Sequence, residues 1–292
     1  MGKKSKKVKQ TGAELFHSFY EEVFGERWES LRESLLLEKS YVLLKNPYKN
    51  FQTEGLTPFF GLPHLYELSK RAQDPGEAQA YFLDGASALA PMALDIQPGE
   101  DVLDLCAAPG GKSLILAYAL QGEGSLTAND KSPNRRGRLK QNLKQFLPEE
   151  IFEKIIRVTG HDASSWCLHE KEAYDKILLD APCSSEKHVL ESPKHLEQWK
   201  VGRTKRLATL QWSMLASSWE VLRTGGKMVY STCSISPLEN DQVVAKLIKK
   251  YGAQVKILAN PYPIGTSSEY GTWITPDEHG HGPFFFTLLQ KL

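Results

Sequence analysis

Two of the four cysteines in this 292-residue chain stand where a thiol could do chemistry. Cys183 lies in Asp180-Ala181-Pro182-Cys183-Ser184-Ser185, directly after the apolar run YDKILLDAP (174–182). Cys233 lies in Ser231-Thr232-Cys233-Ser234, directly after GKMVYST (226–232). Both runs read as buried strands. Adjacent parallel strands lie about 4.8 Å apart, so both thiols are expected at one edge of one sheet. A cysteine is ordinarily a small buried hydrophobe, and that reading is adopted for Cys167 and, within its loop, for Cys106. Cys183 and Cys233 end strands in polar turns and fit that account poorly. A free thiol is only slightly ionised at neutral pH, yet its thiolate is a strong nucleophile. No Cys-x-x-Cys pair occurs, which argues against a zinc site or a disulfide framework and for reduced, reactive thiols.

A second constellation begins at the strand 101–106. It runs into Asp104-Leu105-Cys106-Ala107-Ala108-Pro109-Gly110-Gly111-Lys112, and a helix follows. Ligands of such sheets bind beyond the carboxyl ends of the strands, where small residues let backbone N–H groups approach and a helix N-terminus favours a carboxylate. The next strand ends at Asp130, about 20 residues past the glycines, the distance at which an acid can reach ribose hydroxyls. Asp162 follows the third strand and Asp180 ends the fourth. One such Asp is usually a helix cap or turn residue, but three in succession favour a ligand edge. The loop lacks the pattern of a nucleotide triphosphatase, and Pro109 spoils a dinucleotide fingerprint.

The elements that must position these residues are legible as alternating runs. Segments 101–107, 125–130, 155–160, 174–182 and 226–232 read as strands, with helices at Ser113–Leu120, Arg135–Phe146, Lys205–Leu222 and Glu239–Lys250 between them. The alternation implies an α/β fold, a mostly parallel sheet with helices on both faces. A last pair, 253–258 and 283–289, is expected to close the sheet with one strand antiparallel. Residues 13–38 have helical periodicity, 39–83 are irregular with short elements, and Ala86–Leu94 is a short helix. This gives a tail over 1–10, an N-terminal α+β lobe over 11–83 and a catalytic domain over 84–292. The tail is read as disordered. Hydrophobic content of 41% and charged content of 24% are those of a globular enzyme. No run is long enough to span a bilayer and no secretory signal or transit peptide is evident, so a cytoplasmic protein is expected. Net charge is only +1, but five lysines fall in the first nine residues, and basic clusters recur at Lys131–Lys144 and Lys200–Arg206. Such runs are usually solvated faces and gain meaning only beside an active site.

One chemistry that wants a thiol here is methylation of carbon 5 of cytosine, a poor nucleophile until a thiolate adds to carbon 6. The residues YFLDGASALAP, DLCAAPGGKS, Asp130 with Arg135, LLDAPCSS, LQWSMLASSWEVLRTGGKMVYSTCS and SPLEND carry a resemblance over roughly residues 80–292. In these segments the chain resembles the Nol/Nop/Sun family of RNA cytosine-5 methyltransferases. The resemblance implies a Rossmann-like class I methyltransferase fold with a seven-stranded sheet and S-adenosylmethionine as cofactor. It implies that Cys233 attacks carbon 6, that Cys183 helps resolve the adduct, and that Asp180 contacts the cytosine ring, with Lys112 as a further contact. Residues Cys106, Ala107, Ala108, Pro109, Gly110, Gly111 and Lys112, with Asp130, Arg135, Asp162 and Asp180, would hold the cofactor, and no metal is implied. DNA cytosine-5 enzymes use the Pro-Cys thiol and lack the Thr-Cys-Ser partner, so the pair points to RNA. The segment Glu186–Pro193 departs from the Arg-rich stretch of many members, and the run Lys194–Arg206 is the candidate to contact phosphates instead. RNA affinity would come from the N-terminal lobe, the lysine tail or a protein partner. A monomer is expected, with ribosomal RNA favoured over transfer RNA. Two alternatives stand: a methyltransferase for another substrate, and a silent RNA-binding or assembly factor.

Overall fold

The computed structural model describes residues 10–38, 41–68, 76 and 78–292. The basic tail expected over 1–10 therefore lies, apart from Gln10, outside the described residues.

The chain opens with α1 (Gly12–Phe24) and α2 (Arg27–Leu36). Thr11 starts α1 in a capping box: its hydroxyl accepts from the Glu14 N–H, and the Glu14 carboxylate accepts from the Thr11 N–H. The periodicity that suggested one helical stretch is broken at Gly25, whose φ of 57° lies in the left-handed region. Strands β1 (Tyr41–Lys45), β2 (Leu65–Glu67) and β3 (Ala80–Asp84) form a small antiparallel sheet in the order β2-β1-β3. Helix α3 (Gly85–Ala93) follows at once, capped by the Asp84 carboxylate.

The main sheet is built from β4 (Asp101–Asp104), β5 (Ser125–Asn129), β6 (Ile156–Thr159), β7 (Tyr174–Asp180) and β8 (Leu222–Thr232). These five are parallel in the order β8-β7-β4-β5-β6. Helices α4 (Gly111–Leu120), α5 (Pro133–Phe146), α6 (Glu149–Ile155), α7 (Glu186–Leu190), α8 (Pro193–Glu197) and α9 (Val201–Val221) lie in the crossovers. After β8 come α10 (Asp241–Tyr251), β9 (Val255–Leu258), β10 (Thr266–Ser267), β11 (Thr272–Ile274), α11 (Pro276–His279) and β12 (Phe284–Lys291). Strand β12 runs antiparallel to β8, while β9 and the β10–β11 hairpin pair with its other edge. The expected seven strands are all present, and the hairpin raises the sheet to nine. Its two short strands carry no alternation of apolar residues that a reading of the sequence could use.

Each face of the sheet is covered. Leu89, Leu114, Leu139 and Val229 belong to one core, and Leu103, Ile177, Leu215 and Tyr230 to the other. Two buried lysines close helix ends: Lys176 on β7 donates to the Leu94 and Asp95 carbonyls behind α3, and Lys291 on β12 to those of Trp219 and Leu222 at the end of α9.

Residues 11–83 divide into two pieces that share cores with the rest of the chain. Val42, Leu44 and Leu83 of the small sheet join the core of Leu89 and Leu114. Phe16, Tyr20, Trp28, Leu31 and Leu35 of α1 and α2 instead pack with Val189, Trp199 and Ile235 around the loops after β7 and β8. Burying each such large side chain contributes about 1.5–3 kcal/mol, so α1 and α2 are integral to those loops. Among the described residues no helix is long and apolar enough to cross a membrane.

Candidate active site

Strand order places the site. β4 is flanked by β5 on one side and β7 on the other, so the chain reverses direction of growth there and a crevice opens beyond its carboxyl end. The loop after β4 and the ends of β7 and β8 border this crevice. Asp180 on β7 faces Ser231 on β8 in register, and Cys183 and Cys233 follow them.

The two thiols meet. Their sulfurs are 2.9 Å apart, and all four cysteines are free and partly buried. Hydrogen bonding from the Cys183 thiol is the largest influence on Cys233 and holds it below the usual thiol range, with the Ser185 hydroxyl assisting. The same contact, with burial and the Glu186 and Glu239 carboxylates, pushes Cys183 well up. The contact therefore splits the pair in one direction: Cys233 is the thiol that ionises more readily, and Cys183 the one that holds its proton more firmly.

Asp180 is held from two sides. Its Oδ1 accepts from the Ser231 hydroxyl at 2.9 Å, and its Oδ2 lies 2.9 Å from Lys112 Nζ. Burial works against the Lys112 ammonium, but Asp180, Asp104 and Asp84 outweigh it and keep the amine above its ordinary value. A cavity of about 410 Å³ is walled by Tyr81 and Asp84 of β3, the loop at Cys106–Pro109, and Lys112 with Asp180. It opens between the small N-terminal sheet and the loop after β4. The two thiols stand outside its wall.

The loop itself needs its glycines. Gly110 has φ 117°, which side chains rarely adopt, and a Cβ on Gly111 would sit 2.6 Å from the Tyr81 ring. Asp130 is buried, and its Oδ1 accepts from the Ser132 N–H. Its Oδ2 accepts no hydrogen bond from the described residues, although the Arg135 guanidinium is 3.3 Å away. A buried carboxylate oxygen with spare capacity at this edge suits a ribose hydroxyl, which can donate to it. S-adenosylmethionine thus fits the residues present: the 106–112 backbone for its polar groups and Asp130 for its sugar.

Several of the expected residues also make contacts within the protein. Arg135 donates to the Ala108 carbonyl at 2.8 Å and so braces the loop. Asp162 caps the 3-10 turn Ala163–Leu168, accepting from the Ser164 N–H and hydroxyl, and pairs with Lys131 at 2.6 Å. The Lys131 and Ser164 hydrogen bonds hold its carboxyl down at about 2. Cys106 lies in the cavity wall and packs against the core. Cys167 packs there too, its N–H donating to the Ser217 hydroxyl.

Several supporting residues carried no signal in the sequence. Asn129 ties three loops: its amide donates to the Leu105 and His161 carbonyls, and its carbonyl accepts from the Thr159 hydroxyl and the His161 N–H. Asp104, quoted only as part of the loop motif, is buried, with Ser113 donating to its Oδ2 at 2.7 Å. Tyr81 had only its place in the YFLDGASALAP run to mark it.

The family model described as 16S rRNA methyltransferase RsmB/F matches residues 91–290. The chain is 34% identical, over 95% of its length and 87% of the relative's, to the 5-cytosine rRNA methyltransferase NSUN4 of Mus musculus. It is 30% identical to the mitochondrial tRNA (cytosine(34)-C(5))-methyltransferase of Danio rerio, covering 100% of this chain and 90% of that one. A methyltransferase homolog from Pyrococcus horikoshii has a solved structure that superposes with a TM-score of 0.79 at 26% identity, over 96% of this chain and 95% of that one. NSun6 from the same organism, solved with SFG, shares the fold with a TM-score of 0.78 at 21% identity, over 95% and 97% of the two chains. A match spanning most of the chain, and relatives aligned along nearly all of it, mean that the chain belongs to the RsmB/F, or Nol/Nop/Sun, family of S-adenosylmethionine-dependent RNA methyltransferases.

Proposed function

We propose that the chain methylates carbon 5 of a cytidine in structured RNA, ribosomal RNA being the substrate, through a covalent bond from Cys233 to carbon 6. The observation that carries this reading is the 2.9 Å approach of the Cys183 and Cys233 sulfurs beside the Lys112–Asp180 pair. Bound S-adenosylmethionine supplies an electrophilic methyl group. The remaining steps belong to the protein. Hydrogen bonding from Cys183 eases the loss of the Cys233 proton to solvent, and the lone pair of the resulting thiolate forms the bond to carbon 6. The electron pair of the 5–6 double bond then becomes available at carbon 5, which takes the methyl carbon as the donor's sulfur keeps the electron pair of the sulfur–methyl bond that breaks. Asp180 can accept from the exocyclic amine of the ring while Lys112 donates to a ring acceptor, drawing density away as the thiolate adds. The carbon-5 proton passes to solvent water, the electron pair of that C–H bond restores the double bond, and the carbon–sulfur bond breaks to return the Cys233 thiolate. Cys183, in contact with the attacking sulfur, is the group placed to help resolve the adduct. The target base must be unpaired or flipped out, since carbons 5 and 6 are stacked within a helix.

RNA affinity is assigned to the flanks of the crevice. Exposed basic residues line α5 and the start of α9, and α1–α2 and the β1–β3 sheet border the site from two sides. That arrangement supports a role for α1–α2 and the β1–β3 sheet in holding RNA, to which a protein partner would add affinity.

Tritium release from RNA labelled at cytidine carbon 5 tests the chemistry. Cys233→Ala should reduce it by about a thousandfold or more, and Cys183→Ala should accumulate a covalent protein–RNA adduct that survives denaturation. An active Cys233→Ala variant, or adduct accumulation in that variant instead, would reverse the roles. Bisulfite sequencing of total RNA with and without the gene identifies the substrate. Loss of a site in transfer RNA alone would replace ribosomal RNA in this reading.

A further inference from the structure

Behind the thiols lies a buried acid pair that the chemistry above leaves unused. Glu186 begins α7, three positions after Cys183, and Glu239 comes six positions after Cys233. Both are fully buried. Each carboxyl is bound by the loop of the other cysteine. The Ile235 N–H donates to Glu186 Oε2 at 2.9 Å, and the Ser234 hydroxyl is 3.2 Å from Oε1. The Ser184 N–H donates to Glu239 Oε2 at 3.0 Å. The Ser184 hydroxyl stands between the two acids and contacts both. Outside elements complete the cluster: the Tyr20 hydroxyl on α1 donates to Glu186 Oε1 at 2.7 Å, and the Gln211 amide on α9 to Glu239 Oε2 at 2.7 Å. Ser185, in the left-handed region at φ 53°, turns the chain so that Glu186 points inward, a strained conformation of the kind kept where the surroundings require it.

Two carboxyls sharing a serine in a dry site do not both ionise cheaply. Burial, and then the charge of Glu186, push Glu239 up to about 7. Glu239 Oε1 accepts from the Ser184 and Ser234 hydroxyls, while Glu186 accepts from Tyr20 and Ile235.

We propose that Glu186 and Glu239 are positioning residues for the thiol pair, a reciprocal clamp in which each acid is carried by one cysteine loop and held by the other, with Tyr20 tying α1 into it. Strand pairing ends at Asp180 and Ser231, so beyond that point the clamp, rather than the sheet, holds Cys183 and Cys233 together. The inference rests on the reading of these two cysteines as the working thiols.

Phenylarsine oxide tests it without RNA or cofactor. Its arsenic–oxygen bond gives way to two arsenic–sulfur bonds, the oxygen leaving as water with the two thiol protons, and this happens only where two thiols lie close together. Intact-mass and peptide mapping at pH 6.5 should show one bridge, between Cys183 and Cys233. Glu239→Gln reproduces the neutral acid, keeping both acceptor and donor, and should bridge within twofold of the wild-type rate. Glu239→Ala should be at least tenfold slower, and Tyr20→Phe two- to fivefold slower. Methyl transfer should follow the same order. Between pH 6.5 and 8.5 the wild type should also lose ground to Glu239→Gln, because ionised Glu239 then faces Glu186 on α7 and the thiols, with Tyr20, Gln211 and Ser234 as the neutral groups around it. A folded Glu239→Ala that bridges as fast as wild type overturns the clamp. If that variant does not fold, wild-type bridging rates in both Tyr20→Phe and Gln211→Ala overturn it equally. A wild type that bridges but releases no tritium from RNA would instead sink the functional reading.

Discussion

Asp104 and Asp130 sit a strand apart at the cofactor edge, and their surroundings set them different tasks. Asp104 is buried beside the cavity with Oδ2 satisfied by Ser113 and Oδ1 without a partner among the described residues. Burial pushes its carboxyl up to about 7, with Asp180 adding to the rise and Ser113 opposing it. In the unfolded chain the group titrates near 3.9, so between about pH 4 and 7 unfolding releases a proton that the folded state retains. Stability therefore falls with rising pH through that window and is flat above it. Asp104→Asn keeps the shape and removes the charge. It should match the wild type near pH 4 and exceed it by up to about 4 kcal/mol at pH 8, as read by urea denaturation. An equal difference at both pH values would show that Asp104 does not titrate in this range. Asp130 offers an acceptor with no hydrogen bond of its own among the described residues. Asp130→Ala should weaken S-adenosylmethionine binding by about tenfold or more in calorimetry, the loss expected for one charge-assisted hydrogen bond. Unchanged affinity would remove Asp130 from the ligand edge.

Elements meet at two glycines where backbone packs against a neighbour. Gly111 lets α4 begin against Tyr81 of β3, so the small N-terminal sheet and the cofactor loop fix each other. Gly111→Ala must displace that ring and should lower cofactor affinity by about tenfold while costing about 1–3 kcal/mol of stability. Wild-type affinity with wild-type stability would mean the ring moves freely. At the other side, a Cβ on Gly12 would meet the Glu197 carbonyl at 2.0 Å, so α1 lies directly on α8. The sequence shows the elements themselves well and their meetings poorly. The five parallel strands were legible because each is a short apolar run with an Asp or a Cys at its end or within three residues of it. The loop glycines, Asp130 and both thiols were legible for the same reason, lying at strand ends. Glu186 and Glu239 were not, because their partners lie about 50 residues away along the chain and a buried acid looks like any surface acid. Asp162 was legible only as one acid in a series; its contacts as a cap and as the partner of Lys131 were not, because both depend on the fold.

At the scale of the whole molecule, a net charge of +1 hides an uneven surface. Lys194, Lys200, Arg203, Lys205 and Arg206 are exposed on α8 and the start of α9, the segment that follows the Cys183 loop. Lys131, Arg135, Arg138, Lys140 and Lys144 are exposed on and before α5, the segment that follows Asp130. The two groups stem from strand ends on either side of β4, so a phosphate backbone touching both would cross the crevice. Their roles are separable. Arg135 also braces the Ala108 carbonyl, so its removal would disturb cofactor and RNA together. Among the described residues, no side-chain hydrogen bond or ion pair ties Arg203 and Arg206 to the fold, and they can be removed with little effect on stability. Arg203→Gln with Arg206→Gln should weaken RNA binding by a similar factor for every sequence tested. For each phosphate left without its arginine, the slope of log affinity against log salt should become shallower by about 0.7–0.9. The double variant's slope should therefore fall by about 1.5, with S-adenosylmethionine affinity unchanged. A slope equal to wild type would place the RNA elsewhere, and a weakening confined to one RNA sequence would mean that these arginines read bases rather than phosphates.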